Sequence, residues 1–488
     1  MSLLALDWRS KEQAPMKSTS WMALEEVLET ARKLETRSGH YYREAAEKLK
    51  ALPEVSGELK RIGKKHAVHG EKVRNLSTNQ SGRIKTYQRR RNMKRIRLMT
   101  LAMAFTLALI LPAIAAEVVE IGMVSTFSGA YAAIGDHGLK GAKYEIGEVN
   151  NKILGQPADA YAIEDEAKPG VGARKVREAI ESRGIKFFQG AVSSAVALAV
   201  SQVANEKKAI YVCSVGADEI TGKACNLYTF RWSLPTYGAI QQTIIPLIKK
   251  FPDAKRWYTI TPDYVFGHSL LNNAVEVFKQ HGIQHVGNDM HPIGHTEFSS
   301  FFTKAMAAKA DFVVFLNFGK DTINALKMAD NFGLKKKAKL LVAWSSGLMD
   351  LQEIGPETAE GIYFGCQFWH DVPEPATQSL TKEYQAKYKD IISYPAASSY
   401  IMTRMIILGI EKAKSLDPTA VAKAMEKMEW EGLTGKEYMQ AFDHQTNKQY
   451  YLLLAKSKKD IKGPGDLAAV ISSGRSLIPE SKTECRMK

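Results

Sequence analysis

The chain has 488 residues, 45% of them hydrophobic, with 67 Lys+Arg against 52 Asp+Glu and a formal net charge of +15; this length predicts two or three domains rather than one core. Residues 1–97 hold 23 basic and 11 acidic residues, a net of +12, which leaves 44 against 41 and only +3 for the rest. The basic excess is thus confined to a leader, and charge excludes nucleic acid as a partner of the larger part.

Residues 1–92 predict a basic helical leader, with amphipathic helices over 22–50 and 54–76 separated at Leu52-Pro53, where Pro53 suits the start of the second. Glu35, His66 and His69 interrupt their apolar stripes. His66 and His69 fall one turn apart on one face, a spacing that can hold a metal. The pair resembles half of a ferritin-like or rubrerythrin-like bundle, with His-x-x-His where that family has Glu-x-x-His. A solvated hairpin, or a start assigned too early, explains the same residues, and no metal is expected for the chain as a whole.

Residues 93–116 predict an export signal. Met93-Lys94-Arg95-Ile96-Arg97 supplies a basic flank, nineteen uncharged residues from Leu98 to Ala116 supply the apolar stretch, and Ala113-Ile114-Ala115 fits the cleavage rule. A retained anchor is the alternative, because nineteen residues rising about 1.5 Å each just cover a hydrocarbon core of about 30 Å. Pro112 and the Ala-rich end favour cleavage near Ala115 or Ala116, and Met93 is suited to be an initiator.

From Glu117 strand and helix alternate. Val118–Val124 reads as a strand, Ser125–Gly129 as a turn, and the stretch to about Asn150 as a helix. Strands near 160–163, 185–188 and 209–212 enclose helices over 171–182 and 195–205. The alternation restarts after Arg231-Trp232-Ser233-Leu234-Pro235, with strands at 257–260, 312–316 and 340–343 and a helix ending at Gln280. This order predicts an α/β fold with two doubly wound parallel sheets, whose ligands bind in loops at the carboxyl ends of the strands.

Those loops hold the candidate binding residues. Ser125, Thr126, Ser128 and Gly129 follow the first strand, and Ser193 and Ser194 open a helix, where hydroxyl and backbone N–H groups can hold a carboxylate or simply cap the helix. Tyr264, Phe266, Phe318 and Trp344 follow strands of the second unit, as ligand-covering rings or as core. Cys213 and Cys225 enclose a turn-rich segment and are read as a disulfide or as two buried thiols; Cys366 and Cys485 show no evident partner. No nucleophile elbow, Walker A run, dinucleotide fingerprint or metal-hydrolase motif is present, so neither catalysis nor a cofactor is expected.

Five segments carry a resemblance: Gly122–Gly129, Val192-Ser193-Ser194, Tyr228–Arg231, Asp263–Gly267 and Ala310–Val314. In this order behind an export signal, they resemble the periplasmic solute-binding proteins of ABC importers for branched-chain amino acids and amides, over Glu117 to about Gly474. The resemblance implies two lobes with three crossings, lobe 1 from 117–236 plus 367–440 and lobe 2 from 237–366 plus 441–474, with 475–488 as a tail. It also implies a small-molecule ligand, an ABC-type permease as partner, a periplasmic monomer and no enzymatic step; a sensor lobe serving a signalling partner is the alternative. Ser193 matches the serine that holds a ligand carboxylate. Gly216-Ala217-Asp218 stands where a Ser/Thr is expected, Phe266 and Phe318 replace tyrosines, and Trp344-Ser345 stands where an acid would meet a ligand ammonium. An aromatic or aliphatic organic acid or an amide is therefore expected over leucine, unless Asp218 supplies the charge.

Overall fold

A computed structural model describes residues 118–487. The leader helices, the export segment and Glu35, His66 and His69 lie outside these residues. Among the described residues no helix is long and apolar enough to cross a membrane.

The first sheet gathers β1 (Val119–Ser125), β2 (Lys152–Ile153), β3 (Gln156–Glu164), β4 (Phe187–Gly190), β5 (Ile210–Cys213) and β6 (Thr229–Arg231), with α1 (Ala132–Glu148), α2 (Pro169–Arg183) and α3 (Ser194–Lys207) as connections. Its order is β2-β3-β1-β4-β5-β6, and β1 pairs in parallel with β3 on one side and β4 on the other. Central strands such as β4 and β5 are buried throughout, as parallel strands covered on both faces must be. β3 alternates instead, burying Ala158, Ala160 and Ile163 and exposing Tyr161. Sequence placed β1, β4, β5 and the three helices to within one to three residues, whereas β3 begins four residues before the expected 160 and β2 and β6 were not expected. Pro169 adds the first turn of α2, and Gly184, at φ 70°, ends it in the left-handed conformation that glycine adopts without penalty.

The second sheet follows α4 (Thr236–Lys250) and contains β7 (Arg256–Pro262), β8 (Gln284–His291), β9 (Phe312–Phe315), β10 (Lys339–Ser345) and β11 (Tyr363–Cys366). Between them run α5 (Val265–Gln280), α6 (Ser299–Ala307), α7 (Lys320–Asn331), α8 (Leu348–Ile354) and α9 (Pro356–Ala359). The chain then returns: α10 (Pro375–Tyr388), α11 (Tyr394–Ala413) and α12 (Pro418–Met425) bury Leu380, Tyr384, Ile401, Met405, Ile406 and Val421 in one cluster with Ile121, Phe187 and Val212 of the first sheet. Strands β12 (Glu429–Gly432), β13 (Gly435–Met439) and β14 (Thr446–Asn447) form a small antiparallel sheet. Finally β15 (Tyr450–Ala455) and β16 (Ala468–Gly474) complete the second sheet in the order β16-β15-β11-β10-β9-β7-β8.

Two expectations are corrected. Residues 441–447 do not join the second sheet: β14 pairs with β13, and Gln445 bridges to Arg231 at the end of the first sheet, so the last passage between lobes begins beyond Asn447. Cys225 bonds Cys485, not Cys213, across 260 residues, and Cys213 is a buried free thiol, as is Cys366. Cys213 ends the central strand β5 and points into the core formed by Val196, Val200 and Tyr211, where burial pushes its thiol up to about 11.

Candidate functional site

Each sheet has one place where successive connections diverge to opposite sides, and there the loops part. In the first sheet this falls between β1 and β4; in the second, between β7 and β9. A cavity of about 50 Å³ lies where these two sets of loops meet. The first lobe contributes Met123 and Ser125 from β1, Ile134 and Gly138 from α1, Gly190, Ala191, Val192 and Ser194 between β4 and α3, and Ser214 to Gly216 after β5. The second lobe contributes Tyr264, Phe266, Phe318 and Trp344, and α11 contributes Tyr394, Pro395, Ser398, Ser399 and Met402.

The geometry divides into a polar floor and an aromatic wall. At the floor, Ala191 takes φ 64°, a left-handed conformation that costs a non-glycine residue on the order of 1 kcal/mol or more. Its N–H donates to Val124 O at 2.6 Å, which fixes the turn from β4 into α3. Ser193 caps α3 without a side-chain hydrogen bond, so the first N–H groups of this helix are not consumed by its own cap. Ser194 Oγ instead accepts from Ala217 N at 3.3 Å and ties this turn to the next loop. In the wall, Phe266 meets Trp344 edge to face at 5.4 Å and Phe318 at 6.4 Å. Tyr394 donates to Ser214 O across the floor at 3.3 Å.

Charge is kept out of the lining. None of the described residues lining the cavity is Asp, Glu, Lys, Arg or His. Arg231 lies behind it, fully buried, donating to Ala217 O at 2.6 Å, Gly216 O at 3.3 Å, Gln445 Oε1 at 2.6 Å and Thr221 Oγ1. Burial lowers its pKa, and its four acceptors hold the loop that presents Gly216.

The structure brings together Ser194, Gly216, Tyr264, Phe266, Phe318 and Trp344 of the predicted residues. It places the others elsewhere. Ser128 is exposed on the turn after β1, and Ser193 and Ala217 are buried beside the lining. Ser345 is buried with its hydroxyl donating to Gly365 O at 2.9 Å. Asp218 is withdrawn from the cavity by its own hydrogen bonds, accepting from Thr236 Oγ1 at 2.8 Å, Tyr237 N at 3.0 Å and Asn273 Nδ2 at 2.6 Å. It binds the two lobes to each other and does not supply a charge to the lining. Sequence reasoning missed the whole α11 contribution. Ser393 followed by Tyr394-Pro395 does signal a helix start, but nothing local says that its first turns face the cleft.

Residues 118–460 match the family model described as periplasmic binding protein. The chain belongs to that family. This periplasmic binding protein is 45% identical to the amino acid ABC transporter substrate-binding protein from Pseudomonas fluorescens Pf-5, with a TM-score of 0.73 over 76% of this chain and all of that one. It is 25% identical over 393 residues to Leu/Ile/Val-binding protein homolog 4 of Brucella melitensis, spanning 76% of this chain and 93% of the relative. A solute-binding protein of an R. palustris ABC transporter, solved with benzoate, shares the fold at 19% identity and a TM-score of 0.68, over 76% of this chain and 99% of that one. The family and these likenesses make this periplasmic binding protein the substrate-binding component of an ABC transporter.

Proposed function

We propose that this substrate-binding protein captures a small organic acid or amide with an apolar, preferably aromatic, body. The observation that carries this reading is the absence of any ionisable Asp, Glu, Lys, Arg or His among the described lining residues. A zwitterionic amino acid sealed there would leave its ammonium without a counter-charge, at a cost of several kcal/mol. A carboxylate fares better, because the start of α3 offers unconsumed N–H donors and the positive end of a helix dipole. The ring wall of Phe266, Phe318 and Trp344 suits a flat apolar body, and the benzoate carried by the R. palustris relative has that form. At about 50 Å³ the cavity is smaller than the roughly 150 Å³ that admits a benzene ring, so entry requires the lobes to part.

The same reading takes 93–116 as an export signal cleaved near Ala115 or Ala116, the exported protein as a monomer without a catalytic step, and a membrane permease as the recipient of the ligand. Calorimetry with benzoate, an aliphatic carboxylate, an aliphatic amide and leucine tests the ligand class. Benzoate or one of the other uncharged-bodied compounds should bind, and at 100 times its Kd should stabilise the protein by about 2.7 kcal/mol. Tight leucine binding with no response to the others would sink the proposal.

A further inference from the structure

Residues 475–487 leave the second sheet at Gly474 and end on the first lobe. They are fastened to α4 on the way: Gln242 Nε2 donates to Ser476 Oγ at 2.5 Å, and Leu477 packs against the cluster that includes Leu234, Ala239 and Ile240. The tail backbone crosses α4 at Gly238, where a Cβ would overlap Ser476 O. Beyond this anchorage, Ile478, Lys482 and Glu484 run along a groove of about 320 Å³ whose other walls are Asp218, Glu219, Gly222 and Lys223 of the first lobe and Ser269, Asn272 and Asn273 of the second. Cys485 then bonds Cys225, in the loop between β5 and β6.

That loop leads directly to the cavity. Between Gly216 and Cys225 the chain is turned upon itself by Ile220 N to Ala217 O, Gly222 N and Ala224 N to Glu219 O, and Cys225 N to Gly222 O. Arg231 fixes the carbonyls of Gly216 and Ala217 from behind. This folded loop thus joins Cys225 to Gly216, which lies so close to Phe266 and Trp344 that a Cβ would overlap them. The hydrogen bonds from Thr236, Tyr237 and Asn273 to Asp218 are non-covalent ties along the same seam, whereas the disulfide is a covalent one.

With the cleft taken as the place of ligand capture, we propose that the C-terminal tail is a fourth, covalently closed connection between the lobes, which restrains opening of the cleft and so sets ligand affinity and release. Seven residues separate the packed Leu477 from Cys485, and the eight steps between them have an extended reach of about 28 Å. The strap thus permits opening, but only as its turn at Glu480–Lys482, held by Lys482 N to Pro479 O at 2.8 Å, is pulled straight. Its effect is a bias toward the closed arrangement that disappears on reduction, and the oxidising side of a membrane is where such a bond persists.

The test compares the full chain, purified under oxidising conditions, with the Cys485→Ser and Cys225→Ser variants and with the parent after reduction by a phosphine. A non-reducing peptide map should show Cys225 joined to Cys485; both cysteines free in the parent would overturn the proposal. By small-angle scattering without added ligand, both variants and the reduced parent should show a larger radius of gyration than the oxidised parent, with unchanged circular dichroism. Equal radii in all four, accompanied only by a lower Tm, would reduce the bond to a stabilising link and overturn the strap. Benzoate titration of the same samples separates the two readings. A weaker, faster-dissociating benzoate complex in the variants supports both, whereas no benzoate binding beside an intact shift in radius supports the strap and counts against the ligand class.

Discussion

A methyl group at position 216 would lie 2.7 Å from Phe266 Cε2 and 2.8 Å from Trp344 Cζ3. Gly216 has no left-handed φ, so alanine can adopt its backbone, and the constraint is only the approach of the opposite lobe. Gly216→Ala should fold normally and resist closure. Overpacking of this kind costs about 1–3 kcal/mol, which becomes roughly a 5- to 150-fold loss of benzoate affinity. Calorimetry beside a ligand-free melt checks this, and unchanged affinity would show that the lobes close without this contact. Another single residue sets an acid limit. His444 is buried and stacked on Phe230 at 4.1 Å, and burial pushes its pKa down to about 4. An unfolded histidine titrates near about 6.5, so as pH falls the unfolded chain takes up the proton first. The contribution of His444 is complete above about pH 6.5 and is lost progressively toward pH 4, up to about 3 kcal/mol in all. His444→Phe, which keeps the stack, should flatten the dependence of Tm on pH in that window; a parallel curve would count against it.

At the level of elements, α1 and α11 meet through Gly138 and Gly141. A Cβ at Gly141 would overlap the Ala396 carbonyl, and one at Gly138 would overlap Met123 Cε and lie 3.0 Å from Ser399 Oγ. Gly141→Ala gains about 1 kcal/mol in helix propensity, but the overlap is with backbone and cannot be relieved by a rotamer. The two helices must separate, so a net loss of about 1–3 kcal/mol is expected from urea denaturation, together with weaker benzoate binding, because Ser398 and Ser399 move with α11. This contact also marks the limit of what was legible in the chain. Strands such as 312–316 and helices such as the one ending at Gln280 were readable because apolar period and turn residues act locally, and the resemblance of five short segments supplied the two-lobed plan. The role of α11 was not readable, since Tyr394 to Ile410 is buried on nearly every side and its period selects no face. Asp218 looked like a ligand partner because sequence does not reveal that Thr236, Tyr237 and Asn273 already saturate it. The disulfide was misassigned for a related reason: short separation favours Cys213 with Cys225, while the fold aims Cys213 into the core and carries Cys485 back from the far end of the chain.

For the molecule as a whole, the three passages between lobes are joined by one polar network. Leu234 N donates to Gln367 Oε1 at 3.0 Å, Gln367 Nε2 donates to Leu234 O at 3.1 Å, and Gln445 Nε2 donates to Ser233 O at 2.8 Å. Lys448 closes it, fully buried, donating to Gln367 O at 2.7 Å, Gln367 Oε1 at 3.1 Å and Gln449 O at 2.8 Å, with its ammonium 4.3 Å from the Trp232 ring. Three acceptors suit the charged amine, and Glu437 and Cys366 favour its proton, yet burial outweighs them and, with Arg475 opposing, lowers its pKa to about 7. An unfolded lysine titrates near about 10.4. Between pH 7 and 10 the unfolded chain therefore binds the additional proton, and the contribution of Lys448 rises with pH by up to about 1.4 kcal/mol per unit. Cys213 and Cys366, with thiols raised to about 11 and about 12, act in the opposite direction once unfolded thiols ionise. The difference between parent and Lys448→Met isolates the lysine, because both chains keep the two thiols. That difference should grow in favour of the parent by about 1 kcal/mol from pH 7 to pH 8, measured by urea denaturation at fixed ionic strength. A constant difference would mean that Lys448 remains charged throughout, held by its three acceptors, and that the crossings do not respond to pH.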